Sequence, residues 1–245
     1  MPIKLKPAVA LSALMMFLPL ASCADAQQRS TPANKGEIET IVKEYLLENP
    51  EIIREALIIL REKEERQSIL AVKNELRNDK RDYSVGPKNA KVIVIEFYDY
   101  NCAFCKQSTD WVQRIVKKYP DDVRVVFKEL PILDRRTGTS RNAAKAALAA
   151  GRQGKFTEMH FVLMDGTALS EKFINSEAVK LGLDMKKFKK DMASDALDEQ
   201  LEDAMILANQ IPGLTGTPFF IINEKFLASG DAVKLQAMLN EALAE

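Results

Sequence analysis

An apolar run in the middle of the chain leads into a pair of closely spaced cysteines. The run is Val92-Ile93-Val94-Ile95, and Cys102-Ala103-Phe104-Cys105 follows it after six residues. A continuous β-branched run predicts a strand that is buried on both faces. Helical spacing then continues to about Tyr119, and residues 123–127 predict the next strand. Strand, helix and strand predict a parallel βαβ unit with the cysteine pair at the beginning of its helix.

The rest of the C-terminal region extends this α/β unit. Its patterns predict several helices, then a hairpin, then a closing helix. The helices are expected at 143–150, 160–164, 173–181 and 185–209, the strands at 219–222 and 225–228, and the last helix at 231–243. This order predicts a thioredoxin fold in residues 88–245, with an inserted helical domain at about 138–210.

The region before this domain predicts a tether and then a helical segment. Residues 27–36 are polar, whereas apolar residues recur at helical spacing over 37–80, interrupted at Asn49-Pro50. Residues 79–89 predict a linker or loop. The apolar face of the helical segment is wide for its length. The segment therefore packs on the main domain, or on another copy of the chain as an oligomerisation segment.

The first residues predict an export signal. A lysine-containing start precedes the apolar residues 7–20, which are too few for a membrane span of about 20 residues. Cleavage before Gln27 would make residues 1–26 a signal peptide. Alternatively, Leu20-Ala21-Ser22-Cys23 resembles a lipobox, so that residues 1–22 are removed and Cys23 carries a lipid anchor. Both alternatives stay open, and both predict the periplasm or cell envelope, where disulfides persist.

The composition argues against two other classes of protein. Lys and Arg number 35, as do Asp and Glu, so there is no positive excess that would favour nucleic acid. One histidine and three cysteines are too few to favour a four-ligand zinc site, and we expect no bound metal. His160, between Met159 and Phe161, and Trp111 are interpreted as packed core residues.

The spacing of the two cysteines suits thiol–disulfide exchange. At a helix N-terminus the dipole and the free N–H groups stabilise a thiolate, which predicts Cys102 as the nucleophile. Cys105 lies one turn further and is predicted to resolve the mixed disulfide. We expect no cofactor beyond the redox-active Cys102–Cys105 disulfide. The alternative is a structural or inert pair.

A carboxyl group near the cysteines is a candidate for proton transfer. Glu96 lies six residues before Cys102, next to the apolar run. Burial there would raise the pKa of Glu96 and suit it to exchange a proton with Cys105. The alternative is an edge carboxylate that faces water.

The dipeptide Thr217-Pro218 precedes the strand predicted at 219–222. Proline is compatible with the first residue of a strand. In a thioredoxin fold this proline is expected to be cis and to face the cysteines. The backbone of Thr217 would then bind an extended substrate peptide, together with Ala103 and Phe104.

Several segments resemble the DsbA-like thioredoxin superfamily of bacterial envelope oxidoreductases. They are Glu-Phe-Tyr-Asp-Tyr-Asn-Cys-Ala-Phe-Cys-Lys at 96–106, Val-Phe-Lys-Glu-Leu-Pro at 126–131 and Thr-Gly-Thr-Pro-Phe at 215–219. Tyr-Leu-Leu-Glu-Asn-Pro-Glu at 45–51 resembles the N-terminal domain of the ScsC and Com1-type branch. This resemblance implies a homodimer or homotrimer with disulfide isomerase activity. It also implies exported cysteine-containing proteins as substrates and a membrane redox partner of the DsbD or DsbB type.

Two departures from DsbA itself separate the functional alternatives. DsbA has Pro-His between its cysteines, where this chain has Ala103-Phe104, and a valine where this chain has Thr217. Both departures favour an isomerase or reductase. The first alternative is a monomeric disulfide oxidase that uses the same site. The second is a non-catalytic chaperone or copper(I)-binding envelope protein, because thiolates suit Cu(I).

Overall fold

The computed structural model describes residues 34–245, which form two compact units, 34–53 and 54–245. The first unit contains helix α1 (Lys35–Glu48) and the beginning of α2 (Glu51–Ala71). Asn34 and Glu37 form a reciprocal capping box at the start of α1, which satisfies N–H groups that the helix leaves free. None of the residues of α1 is buried, and its apolar side chains other than the half-buried Leu46 are exposed.

The second unit is built on a five-stranded mixed sheet. Its spatial order is β1-β3-β2-β4-β5, with β2 and β3 parallel and the other neighbours antiparallel. The strands are β1 (Tyr83–Val85), β2 (Val92–Tyr98), β3 (Val123–Glu129), β4 (Phe219–Ile222) and β5 (Lys225–Leu227). Helix α4 (Ala103–Lys118) connects the parallel strands β2 and β3. The predicted βαβ unit and the predicted hairpin are therefore confirmed.

Most of the remaining helices lie between β3 and β4, where the sequence predicts an inserted helical domain. They are α5 (Asp134–Thr137), α6 (Ser140–Gly151), α7 (Phe156–Asp165), α8 (Glu171–Lys180), α9 (Met185–Met192) and α10 (Asp195–Asn209), with α3 (Lys73–Asn78) before the sheet and α11 (Ala232–Ala244) at the end. The fold is a thioredoxin fold with a helical insertion, preceded by N-terminal helices.

Two details of the predicted elements were wrong. The predicted helix at 185–209 is two helices, because the chain leaves the helical conformation at Ser194, which is the N-cap of α10. The region 79–89 is not only a loop, since it contains the edge strand β1. Tyr83 of this strand pairs with Phe127 and stacks on Phe156, with ring centroids 4.4 Å apart.

The sheet separates two apolar cores, because successive strand residues point to opposite faces. On β2, Val94 and Tyr98 face the core that contains Trp111 of α4. Ile95 and Phe97 face a second core, formed with α3 and α10. Alternation therefore directs the side chain of Glu96, between Ile95 and Phe97, to the face covered by α4.

The second core includes residues from the end of the predicted N-terminal helical segment. Ile69, Val72 and Leu76 are buried there, beside Phe97. Burial of their apolar surface stabilises the second unit by about 25 cal/mol for each Å². The residues after Arg54 thus belong to the same compact unit as the sheet.

Candidate active site

The cysteine motif lies where strand β2 ends and helix α4 begins. Cys102 is the N-cap residue of α4, with extended backbone angles (φ −79°, ψ 114°). Its sulfur accepts a hydrogen bond from the backbone N–H of Cys105 at 3.3 Å. A side-chain acceptor at the N-cap satisfies one of the free N–H groups of a helix. Here that acceptor is a sulfur, which is thereby placed at the positive end of the helix dipole.

Cys102 and Cys105 are free thiols in very different surroundings. The pKa of Cys102 falls to about 6, chiefly because the Cys105 thiol donates to its sulfur, with further contributions from Thr217 and the backbone N–H groups of Phe104 and Cys105. Burial opposes this change. The pKa of Cys105 is raised well above its usual range by burial, by its contact with Cys102 and by the charges of Cys102 and Glu96. At neutral pH the first sulfur is thus a thiolate and the second a thiol.

Glu96 lies on β2 beneath this helix and is fully buried. Burial raises its pKa to about 8, the Ser108 hydroxyl lowers it, and the charge of Cys102 raises it. Ser108 Oγ lies 3.3 Å from Glu96 Oε1. A carboxyl with a pKa near neutrality can accept or release a proton under physiological conditions.

The Thr217–Pro218 peptide bond is cis and lies against the cysteine motif. Cys102 Sγ lies 3.2 Å from the carbonyl oxygen of Thr217, to which it can donate only while it is protonated. Thr217 is partly exposed and Pro218 is buried. Beside them, Ala103 and Phe104 are exposed, and Phe104 has 65% of its surface open to solvent. The residues predicted to contact a substrate therefore lie around the sulfur of Cys102.

The loop before α11 completes this surface. A Cβ atom on Gly230 would lie 2.9 Å from the carbonyl oxygen of Phe104 and 3.2 Å from Cγ of Pro218. Contacts this short are not tolerated against backbone atoms, so a side chain at this position would displace the motif or the proline. This contact could not be predicted from the sequence, because Gly230 is distant from the cysteines along the chain.

The turn before Cys102 is held by a buried carboxylate. Asp99 accepts hydrogen bonds from Asn101 N at 2.8 Å, Ser140 Oγ at 2.7 Å and Leu133 N at 2.9 Å. These bonds fix the end of β2 to Leu133, the N-cap residue of α5, and to Ser140, the first residue of α6. Sequence reasoning missed this role, although Asp near a turn is a known signal for bonds to following N–H groups.

Lys106 connects the cysteine helix to the helical insertion. Its ammonium donates to the backbone carbonyls of Leu163 at 3.3 Å, Met164 at 2.8 Å and Gly166 at 2.5 Å, at the C-terminal end of α7. These carbonyls have no partner within the helix, and a cation is favourable there. The position of α4 therefore depends on the insertion as well as on the sheet.

A second buried carboxyl lies close to the first, on β3. Glu129 Oε1 accepts from the hydroxyls of Tyr98 at 2.6 Å and Tyr100 at 3.0 Å, and Tyr100 is 3.0 Å from Nδ1 of His160. Burial raises the pKa of Glu129 well above its usual range and lowers that of His160 to about 3. His160 is thus a neutral core residue. The burial of His160 was predicted from the sequence, but its link to Glu129 through Tyr100 was not.

The remaining predictions concern metal ions and lipidation. Within residues 34–245, no group of three or more His, Cys, Asp or Glu side chains is arranged to hold a metal ion. Cys23, the predicted lipidation site, and the predicted signal peptide lie outside the described residues. None of the helices in residues 34–245 is long and apolar enough to cross a membrane.

The fold and the site define a thioredoxin-fold protein with two free cysteines at the beginning of a helix, of which Cys102 lies nearer to the surface and has the lowered pKa. Residues 93–243 match the family described as DSBA-like thioredoxin domain. The chain therefore belongs to the DsbA-like thioredoxin family. Residues 35–67 match the family described as copper resistance protein ScsC N-terminal domain.

Solved structures agree with this assignment. A thioredoxin-like oxidoreductase from Silicibacter pomeroyi DSS-3 is 33% identical, covers 70% of this chain and 98% of its own, and has a TM-score of 0.64. ScsC of Proteus mirabilis in a transitional conformation is 28% identical over 87% of this chain and 99% of its own, with a TM-score of 0.65. A periplasmic thioredoxin-like protein from Salmonella enterica serovar Typhimurium is 30% identical over 71% and 97%, with a TM-score of 0.60.

The curated relatives match this chain over a part of their own length. The Na(+)/H(+) antiporter NhaA 1 of Mycobacterium sp. strain KMS is 32% identical over 151 residues, which cover 59% of this chain and 24% of the antiporter. This chain thus spans about a quarter of the length of the curated relatives that it matches.

Proposed function

We propose that this protein is a thiol–disulfide oxidoreductase of the bacterial envelope that isomerises or reduces disulfides in exported proteins. Cys102 and Cys105 carry out the exchange without a cofactor. A membrane partner of the DsbD type would keep the pair reduced. The observation that supports the proposal best is the difference between the two sulfurs: Cys102 has a lowered pKa beside an exposed surface, and Cys105 is fully buried with a raised pKa.

The first step uses the thiolate of Cys102. It attacks one sulfur of a substrate disulfide, a Cys102–substrate disulfide forms, and the other substrate sulfur leaves as a thiolate. The peptide groups of Thr217 lie beside the reacting sulfur, and the exposed ring of Phe104 offers an apolar contact to the substrate. The thiolate that leaves can attack another disulfide of the same substrate, which is isomerisation.

The second step releases a substrate that has not rearranged. The proton of the Cys105 thiol passes to the carboxylate of Glu96, and the Cys105 sulfur attacks that of Cys102. The bond between Cys102 and the substrate breaks, and the substrate leaves as a thiolate. Two electrons have then moved from the cysteine pair to the substrate disulfide, and the membrane partner must return them.

The pKa of Cys102 favours shuffling or reduction over strong oxidation. A low pKa stabilises the reduced form and makes a strong oxidant, and the corresponding cysteine has a pKa of about 3.5 in DsbA and about 7 in thioredoxin. A value of about 6 for Cys102 lies closer to thioredoxin. With Ala103-Phe104 between the cysteines, no imidazole adjoins Cys102 in the motif.

The N-terminal helices are proposed to assemble the protein with other copies of itself. On α1, Ile41 and Leu47 are 62% and 71% exposed. The first unit also contains a hollow of about 440 Å³ lined with apolar side chains, among them Val42 and Ile53. Exposed apolar surface of this kind marks an interaction site. Assembly would place several cysteine pairs around one substrate, which suits isomerisation.

The test is reactivation of scrambled ribonuclease by the reduced mature protein. A truncation near Asp82 would remove Ile69 and Leu76 from the core of the second unit. The full chain is therefore used, with two substitutions on α1, Ile41→Glu and Leu47→Glu. Lys35→Glu is the matched control, since it changes the charge by the same amount at a position that is 90% exposed. Subunit number is measured by analytical ultracentrifugation.

We expect the wild type and Lys35→Glu to assemble and to reactivate ribonuclease. The α1 double variant should be monomeric and at least about tenfold less active, while its Cys102 still reacts with a small aromatic disulfide. A monomeric double variant with full reactivation would contradict the role of the helices. Efficient oxidation of reduced ribonuclease without reactivation would identify an oxidase, and tight Cu(I) uptake without any exchange would identify a copper-binding protein.

A further inference from the structure

A buried serine lies between the candidate proton acceptor and the helix of the resolving cysteine. Ser108 is fully buried on α4, one helical turn after Cys105. Its Oγ is 2.9 Å from the carbonyl oxygen of Cys105 and 3.3 Å from Oε1 of Glu96. Among the described residues, Ser108 is the only hydrogen-bond partner of the Glu96 side chain.

The carbonyl of Cys105 does not depend on Ser108. Thr109 Oγ1 also donates to it, at 2.9 Å. Serine and threonine hydroxyls in helices often donate to the carbonyl of a preceding turn, so either contact alone would be unremarkable. One of these two hydroxyls is enough to satisfy the Cys105 carbonyl oxygen. The proton of Ser108 is therefore free to point to another acceptor without leaving the carbonyl unsatisfied.

A hydroxyl both donates and accepts, so Ser108 can serve both protonation states of Glu96. When Glu96 is protonated, its O–H donates to Ser108 Oγ, and Ser108 donates to the Cys105 carbonyl. When Glu96 is ionised, Ser108 turns its proton to the carboxylate, and Thr109 alone satisfies the carbonyl. A buried carboxylate without a donor is costly, so this second state requires such a partner.

We propose that Ser108 is a positioning residue for proton transfer between Cys105 and Glu96, because its hydroxyl can satisfy the Glu96 carboxyl both before and after the transfer. The proposal rests on the exchange reaction assigned to Cys102 and Cys105 above. It assigns to Ser108 no contact with the substrate or with the reacting sulfurs. Its effect is on the resolving step, where the proton of Cys105 moves to Glu96 as the Cys105–Cys102 bond forms.

The test compares Ser108→Ala with Thr109→Val in the full-length mature protein. Each substitution removes one hydroxyl from the same carbonyl, but only Ser108→Ala removes the partner of Glu96. A disulfide between Cys102 and a fluorescent peptide is prepared, and release of the peptide is followed from pH 6 to pH 9. Attack by Cys102 on a small aromatic disulfide is measured separately.

We expect Ser108→Ala to move the midpoint of the pH–rate profile upward by about one unit and to slow release about tenfold at pH 7. This follows because the ionised form of Glu96 loses its donor. Thr109→Val should keep the wild-type midpoint, and Ser108→Thr, which keeps a hydroxyl, should restore it. Attack by Cys102 should be unchanged in all three variants. A ¹³C NMR titration of the Glu96 carboxyl provides the same midpoint without any turnover.

Three results would overturn the inference. Equal shifts in Ser108→Ala and Thr109→Val would mean that the hydroxyls act by holding the beginning of α4. No shift in the Glu96 titration of Ser108→Ala would mean that Glu96 titrates independently of Ser108. A wild-type profile that Glu96→Gln leaves unchanged would remove Glu96 from the resolving step. Failure of the proposed function itself is distinct, since the wild type would then neither attack a disulfide nor release the peptide.

Discussion

Two buried carboxyl groups lie on adjacent strands of the same sheet, and their surroundings differ. In the register of β2 and β3, Glu96 is opposite Phe127 and Glu129 is opposite Tyr98, so both carboxyls point to the same face. Glu129 receives two tyrosine hydroxyls, at 2.6 and 3.0 Å. Glu96 has a single hydroxyl at 3.3 Å.

Burial alone does not identify an acid–base group. Burial raises the pKa of both carboxyls. Only that of Glu96 is also raised by the charge of Cys102, whereas Glu129 responds to Asp99 and Asp82. Glu129 instead links the end of β2 to His160 on α7 through Tyr100. We interpret Glu129 as a structural group and Glu96 as the one that takes part in exchange.

The largest expected effect is the pH dependence that Glu96 gives to the free energy of unfolding. The pKa of Glu96 is about 8 when folded, against an ordinary value of 4.5. Between these values the folded state keeps a proton that the unfolded chain has lost. The contribution of Glu96 to stability is therefore full below pH 4.5 and falls by about 1.4 kcal/mol for each pH unit up to pH 8.

Glu96→Gln removes this contribution. Its free energy of unfolding minus that of the wild type should therefore rise by several kcal/mol between pH 5 and pH 8, and then level off. Urea titrations at each pH measure the difference, in which the contributions of Glu129, His160 and Cys102 largely cancel. Parallel curves for the two proteins would show that the pKa of folded Glu96 is ordinary.

A smaller effect should separate the two carboxyls by their partners. Glu129→Leu leaves the buried hydroxyls of Tyr98 and Tyr100 without their acceptor, and each such group costs about 1–3 kcal/mol. We expect a loss of about 3 kcal/mol in the free energy of unfolding at pH 6, measured in urea. Glu96→Leu is the matched control and should lose less than about 1 kcal/mol. Equal losses would mean that the two carboxyls do not differ in how much their hydrogen bonds stabilise the fold.

The smallest expected effect, expressed as a free energy, is on the rate of the resolving step. Glu96→Gln should slow the release of a peptide from its disulfide with Cys102 by about 100-fold at pH 8, because general acid–base catalysis contributes on this scale. Glu129→Gln should slow it by less than about twofold. Stopped-flow fluorescence measures both rates. Comparable slowing by the two variants would mean that Glu129 also takes part in the proton transfer.

These two carboxyls also show which features of the site could be predicted from the sequence and which could not. The burial of Glu96 was predictable, because this residue directly follows an apolar run. The role of Glu129 was not, since its partners Tyr100 and His160 come together only when β3 and α7 pack. Ser108 was missed for a related reason: its acceptor Glu96 lies on a strand, and the pairing of strand and helix cannot be read from spacing.

The secondary structure was likewise predicted only in part. The βαβ unit and the hairpin were predicted from long apolar runs. β1 was missed because it has only three residues and forms a strand by pairing with β3, which its sequence pattern does not indicate. The break at Ser194 was missed because apolar residues continue at helical spacing on both sides of it. Ile69 and Leu76 lie in the segment that was expected to pack either on the main domain or on another copy, and they belong to the core of the second unit.

The cysteine pair has a consequence for how the protein itself matures. Residues 34–245 contain two cysteines, Cys102 and Cys105. Two cysteines allow a single intramolecular pairing, whereas larger sets allow many. If oxidants reach this part of the chain before it has folded, the intramolecular bond that forms is the one that the folded protein uses. Within residues 34–245 the newly made molecule therefore has no wrong internal pairing to correct.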